Sequence, residues 1–127
     1  MRPTIYTFNL NENRLTKLRF ICFKLGLLVK SIPPERFDHH IASLIGQCEP
    51  ETEPSANSFD DEMLLFHNLS DHQLNTFLAT CKQQRFAPVA LKAIVTPDNV
   101  AWTAVELHAE LWQERQAVMQ GTTTHEE

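Results

Sequence analysis

Apolar and polar positions fall into the same order twice along this chain. A short apolar run at Thr4–Phe8 is followed by a 3.6-residue apolar rhythm over 12–25 and a second short run at Leu28–Ile32. The order returns as Met63–His67, then 71–84, then Val89–Val95, and a long helical pattern closes the chain over roughly 99–118. Runs of four to seven residues predict strands, and the longer periodic stretches predict helices. Between the two passages, Cys48–Ser58 ("CEPETEPSANS") has two prolines, three glutamates and no large apolar residue. Such a stretch buries too little surface to offset its ordering entropy, which predicts a linker.

The spacing predicts one domain over 1–127, made of two pseudo-repeats, 1–47 and 60–118, joined by an acidic linker over 48–59. A disordered tail is expected over 119–127. Asn9-Leu10, Leu15 and Cys22 recur as Asn68-Leu69, Leu74 and Cys81, all 59 positions on. Further along, "VKSIPP" parallels "LKAIVTP", an alignment that pairs Lys30 with Lys92. Each half reads as a strand–helix–strand unit with a right-handed crossover. "HHIASLIG" adds a short helix in the first half, the counterpart of the terminal one. The expected class is α+β: two similar βα(β)α halves forming a four-stranded sheet, helices mainly on one face, the ferredoxin-like plan.

The repeated phrase itself, "NLNENRL" and "NLSDHQL", has the grammar of a helix entry. Asn11 and Ser70 stand at N-cap positions, Ser70 with Gln73 has capping-box spacing, and Leu10/Leu15 and Leu69/Leu74 have staple spacing. Asn9 and Asn68 are left over: each ends a strand, tying loop backbone or lining a shallow ligand site.

Helix faces raise the question of a partner. Leu74, Phe77, Leu78 and Cys81 form one stripe, but Phe20 and Phe23 point away from the arc of Leu15, Leu18, Ile21, Cys22 and Leu25. In the terminal helix, Trp102, Val105, Ala109 and Trp112 oppose Ala104, Leu107, Leu111 and Val118. Burying all of these predicts a homodimer with Phe20, Phe23, Leu107 and Leu111 at the contact. The alternative is that one chain covers both sides itself. Glu106, Glu110 and Glu114 read as a solvated stripe that could meet Lys17 and Lys24 of a neighbouring copy.

Charge sharpens this picture. The net charge of −5 divides into seven Lys/Arg against three acids in residues 1–47, and four against thirteen in 48–127. Overall acidity argues against nucleic-acid binding, which needs concentrated positive charge. Leu25–Val29, the longest uncharged apolar run, is too short to span a bilayer. No signal peptide is visible, and three cysteines without CxxC spacing fit a reducing, cytoplasmic setting.

Candidate chemistry does not assemble. Ser70-Asp71-His72 has the residue types of a hydrolase triad, but neighbours on a helix diverge by about 100° each. The six histidines lack ligand spacing, so no metal is expected, and the three isolated glycines form no phosphate loop, so no cofactor is expected. No catalytic residue is assigned.

The segments "EMLLFHNLSDHQLNTFLATCKQ" and "LKAIVTPDNVAWTAVELHAELWQE" resemble the bacterial family of domain of unknown function 3783. The matching positions are Asn68, Leu69, Lys92, Thr96, Pro97, Asn99, Trp102, Thr103 and Glu106-Leu107, within about half the chain. In the first half, "IASLIG" looks like the Gly-bearing helix upstream in such proteins, but it lacks the first glycine of their fuller Ile-Gly–Leu–Gly pattern. The resemblance implies no catalytic residue and no cofactor. The expected function is a non-enzymatic protein-interaction or regulatory module with an unidentified protein partner. The alternative is a binding domain for a small anionic ligand or metabolite, using Asn68, Lys30 and Lys92 near strand ends.

Overall fold

The computed structural model describes residues 2–121. Strand β1 (Thr4–Phe8), helix α1 (Glu12–Leu25) and strand β2 (Leu28–Ile32) come first, then a 3-10 turn, Pro34–Arg36, and short helix α2 (Ile41–Leu44). The same course follows: β3 (Met63–His67), α3 (Asp71–Gln83), β4 (Leu91–Ile94), a 3-10 turn, Asn99–Ala101, and α4 (Ala104–Gly121). Helix α4 thus takes in the first residues of the expected tail, and 122–127 lie outside the described residues. The class is α+β, with a four-stranded mixed sheet in the order β2-β1-β3-β4. β1 pairs in parallel with β2, β3 in parallel with β4, and β1 meets β3 antiparallel.

That order differs from the ferredoxin-like expectation. The ferredoxin-like plan splits each strand–helix–strand unit, inserting a strand of the other unit between its two. Here each crossover joins neighbouring strands, and the two units meet at a seam where Tyr6 lies opposite Leu65.

A second correction concerns the layers. Helices cover both faces of the sheet, not mainly one. Every residue of β1 and β3 is buried. Ile5, Leu64 and Phe66 pack with Leu18, Ile21 and Phe77 of α1 and α3. Tyr6, Phe8, Met63 and Leu65 alternate to the other face, against Ile41 and Leu44 of α2 and Leu107 of α4. Successive strand residues point to opposite faces, so a strand buried throughout requires cover on both. The faces of α4 follow from this: Ala104 and Leu107 are buried against the chain's own sheet, and Leu111 packs partly buried beside them.

The register corrects a third expectation. Thr4 pairs with Leu28 and Met63 with Leu91, which places Val29, not Lys30, in the position of Lys92. A slip of one residue turns a side chain to the opposite face. Lys30 and Lys92 therefore stand on opposite edges of the sheet and on opposite faces.

The helix entries form as their residues dictate. The Asn11 side chain accepts the Arg14 N–H at 2.9 Å. Ser70 and Gln73 exchange two hydrogen bonds of 2.8 and 3.1 Å in a complete capping box. Thr103 and Glu106 build a second box at the start of α4, at 2.9 and 3.1 Å, so Glu106 is a capping residue as well as part of an acidic stripe. The starts of α2 and α4 are also tied together: the Ile41 N–H donates to Trp102 O at 2.8 Å and the Ala104 N–H to His39 O at 3.2 Å.

Asn9 and Asn68 now have a reason. Both sit at φ 66°, the left-handed region where Asn is among the least strained residues after Gly. They reverse the chain between strand end and helix start. Asn9 does more, donating through Nδ2 to the carbonyls of Phe59 at 2.7 Å and Asp61 at 3.0 Å. Asn68→Val is expected to cost about 1–2 kcal/mol and Asn68→Gly almost nothing. Urea unfolding checks this, and equal costs for both variants would contradict the backbone role.

The connection from 48 to 62 has no regular secondary structure, yet it is strapped to the first half. Asp38 accepts from the backbone N–H groups of Ala56 and Asn57, at 3.2 and 2.9 Å. Asp38 N–H donates to Ser55 Oγ at 2.6 Å, and Ser55 N–H donates to Glu35 O at 2.8 Å. Phe59, just past the polar stretch, enters the core and stacks on Phe37 at 4.5 Å and on His108 at 4.2 Å.

Candidate functional site

The sheet is wider on one side than the helices above it. On the α1/α3 face, β4 presents Lys92 and Ile94, both exposed, so this edge strand lacks the helical cover that β1 and β3 have. A cavity of about 540 Å³ opens there between β3, α3, the loop after α3 and β4. Leu64, Phe77, Phe86 and Val89 form apolar walls, and Leu78 lines the space while 39% exposed. Lys82, Arg85 and Lys92, three residues with cationic side chains, are part of the lining of the same space. The Lys92 ammonium donates to Val89 O at 2.5 Å, which fixes its position and leaves two N–H groups unused. The volume lies within the range of small-molecule sites.

Arg14 holds the loop wall in place. It grips Glu62 with a two-pronged contact, Nε to Oε2 at 2.5 Å and Nη2 to Oε1 at 2.8 Å, donates to Ala87 O at 2.8 Å, and lies 4.4 Å from the Phe86 ring centre.

Cys81 also lines the cavity. Burial pushes its thiol up to about 11, only partly offset by Arg14 and Lys92, and burial pushes Cys22 up to about 12. Both remain protonated thiols at neutral pH and are poor nucleophiles. Cys48 is exposed, and all three cysteines are free.

Of the three residues expected near a ligand, only Lys92 reaches this cavity. Lys30 stands on the far edge strand β2, and Asn68 sits exposed at the end of β3 in its backbone role. Of the four expected contact residues, Leu107 is 2% exposed and Leu111 half-buried within the chain, which leaves them to the chain's own core. Phe20 and Phe23 are 58% and 83% exposed on α1, with the Lys24 ammonium 5.1 Å from the Phe20 ring centre.

His39 and His40 make structural contacts. His39 is buried, its Nε2 donating to Glu53 O at 2.7 Å and its Nδ1 accepting from Arg36 at 3.3 Å. His67 is buried, and desolvation lowers its pKa, favouring the neutral ring. The His40 backbone N–H, with its ring beside it, holds the Glu51 carboxyl below its ordinary value. Among the described residues no group of three or more His, Cys, Asp or Glu could hold a metal ion. No helix among them is long and apolar enough to cross a membrane.

The fold is thus an α+β sheet domain whose second unit carries an apolar cavity with cationic side chains among its lining residues. Residues 62–118, which are the second unit and less than half of the chain, match the model of the family described as Domain of unknown function (DUF3783). No curated protein and no solved structure matches the chain.

The residues that carry the family likeness turn out to shape turns. Asn99 and Thr96 exchange two hydrogen bonds of 2.9 and 3.0 Å, and Asn99 Nδ2 donates to Ile94 O at 2.9 Å. Together with the Thr103–Glu106 box, they fix the path from β4 into α4. The cations Lys82 and Arg85 were missed from sequence because they follow the apolar stripe of α3 and read as a solvated helix end.

Proposed function

We propose that the protein is a non-enzymatic interaction module that works as a homodimer through the outer face of α1. The observation that carries this reading is the exposure of Phe20 and Phe23 on a helix whose opposite face is fully engaged in the core. Two large aromatics one turn apart are an unusual choice for a solvated face, and such patches mark contact surfaces.

A second copy suits this face through its charges. Glu12, Thr16, Phe20 and Lys24 follow one another at intervals of four and so share one ridge of the helix. An antiparallel two-fold crossing at the level of Leu18 sets Glu12 of one copy opposite Lys24 of the other, twice, and Phe20 opposite Thr16. The acidic stripe of α4 lies over the other face of the sheet, so a contact between α1 and that stripe would run face to back and propagate rather than close.

Sedimentation equilibrium checks the dimer. Wild type should show a concentration-dependent dimer, and the Phe20→Ser/Phe23→Ser variant a monomer with an unchanged far-UV spectrum. Glu12→Lys and Lys24→Glu should each weaken association, and the two combined should restore it. A strict monomer at about 1 mM, a concentration at which even weak association of about 4 kcal/mol is visible, would sink the reading.

The shared course of the two units, each strand–helix–strand–turn–helix, supports an origin by duplication. Three free thiols, two of them inert, suit a cytoplasmic setting. A second reading, binding of a small anionic ligand, is favoured by the cavity beside α3.

A further inference from the structure

The two units end their first helices in the same way, with different residues. In α1 the Leu27 N–H reaches back to Cys22 O at 2.9 Å, with Gly26 at φ 75° between. In α3 the Phe86 N–H reaches back to Cys81 O at 2.9 Å, with Arg85 at φ 59° between. This is the left-handed cap that favours glycine, because a Cβ there is strained. The first unit uses glycine and the second uses arginine, 59 positions on. A strained residue points to a task other than folding. A second substitution lies beside it: the strand position that holds Val29, packed on the core in the first unit, holds Lys92 in the second.

Both departures put a residue with a cationic side chain into the lining of the same cavity. The second half carries four cations against thirteen acids, and three of the four, Lys82, Arg85 and Lys92, line this one space. Its walls are apolar, from Leu64, Phe77, Phe86 and Val89. Apolar walls select an apolar body, and the guanidinium fork with two ammonium groups selects a carboxylate. We propose that this cavity is a binding site for a small apolar carboxylic acid, whose hydrocarbon body lies against Phe77 and Phe86 and whose carboxylate is held by Arg85, with Lys82 and Lys92 beside it. The site lies beside α3 and needs no part of the outer face of α1, so ligand binding and self-association are separable.

The test exchanges residues between the units. Octanoate is titrated into the full chain by calorimetry and by amide chemical-shift mapping, with octanamide and inorganic phosphate as the other two probes. Octanoate should bind saturably and shift the amides around Arg85–Lys92. Octanamide should bind about tenfold more weakly, the loss of about one charge-assisted contact. Phosphate, which has charge but no apolar body, should not shift those amides. Arg85→Gly should raise the unliganded Tm by about 3 °C through relief of strain, yet bind octanoate at least about tenfold more weakly. Lys92→Val, which installs the first unit's residue, should remain folded and also weaken binding. The proposal is overturned by no saturable octanoate binding, by equal binding of octanamide, by phosphate alone shifting the same amides, or by unchanged affinity in both folded variants.

Discussion

Replacing Phe37 by alanine is expected to lower the stability of this protein by about 3–5 kcal/mol, a large share of what a domain this size has to lose. The ring is fully buried on the face covered by α2 and α4. It lies 5.4 Å from the ring centre of Phe8 and 4.5 Å from that of Phe59. Alanine leaves a void bounded by a strand, by the strap and by two helices that cannot all collapse inward, so the cavity cost adds to the transfer cost. Urea unfolding should show the midpoint falling with the slope unchanged. Phe23→Ala, on the exposed face of α1, serves as the control, with an effect on monomer stability within about 0.5 kcal/mol. A loss below about 1 kcal/mol at Phe37 would mean that the second face is not a true core.

Arg14→Ala should be the most damaging change at a charged residue, at about 2–3 kcal/mol. Its side chain is 21% exposed and that of Glu62 29%, so solvent screens part of the pair, and the figure sits below that for a buried pair. Three things depend on the one guanidinium: the start of β3 through Glu62, the loop carbonyl of Ala87, and the face of the Phe86 ring. Lys cannot reproduce the fork, so Arg14→Lys should recover less than half of the loss. A double-mutant cycle with Glu62→Ala should give a coupling of at least about 1 kcal/mol, and additive losses would contradict the contact. Because Arg14 anchors a wall of the cavity, its loss also serves as a check on how far the loop after α3 relies on α1.

Element positions were legible because each rests on local rules. The caps at Asn11 and Ser70, the strands and the long helices follow from spacing alone. The layers were not, although one cue was present. Met63-Leu64-Leu65-Phe66 is an unbroken apolar run, the mark of a strand covered on both faces, whereas Thr4–Phe8 hides the same burial behind two threonines and a tyrosine. The sheet order lay out of reach, since no local signal says which strands of two similar units become neighbours. The pairing of Lys30 with Lys92 failed by one residue because the loop after α3 is longer than its counterpart after α1, and sequence likeness tolerates a slip that a sheet does not.

The cavity was partly legible. Phe77 and Cys81 read as core because their stripe is apolar, and only the fold reveals that one side of the core lacks a lid. Arg85 carried a usable signal: Gly26 reads as a helix cap, and counting 59 positions on from it arrives at an arginine where glycine is expected.

The sheet order has one more consequence. With β1 and β3 in the centre, β2 and β4 are left as open edges, each with a row of unpaired backbone groups able to recruit a strand from another molecule. Each edge strand is only four or five residues long and carries one lysine within it, Lys30 in β2 and Lys92 in β4. A growing stack of such sheets would have to desolvate those ammonium groups at every addition. Lys30, which makes no hydrogen bond or ion pair among the described residues, suits the role of a gatekeeper whose charge disfavours edge-to-edge joining of such sheets.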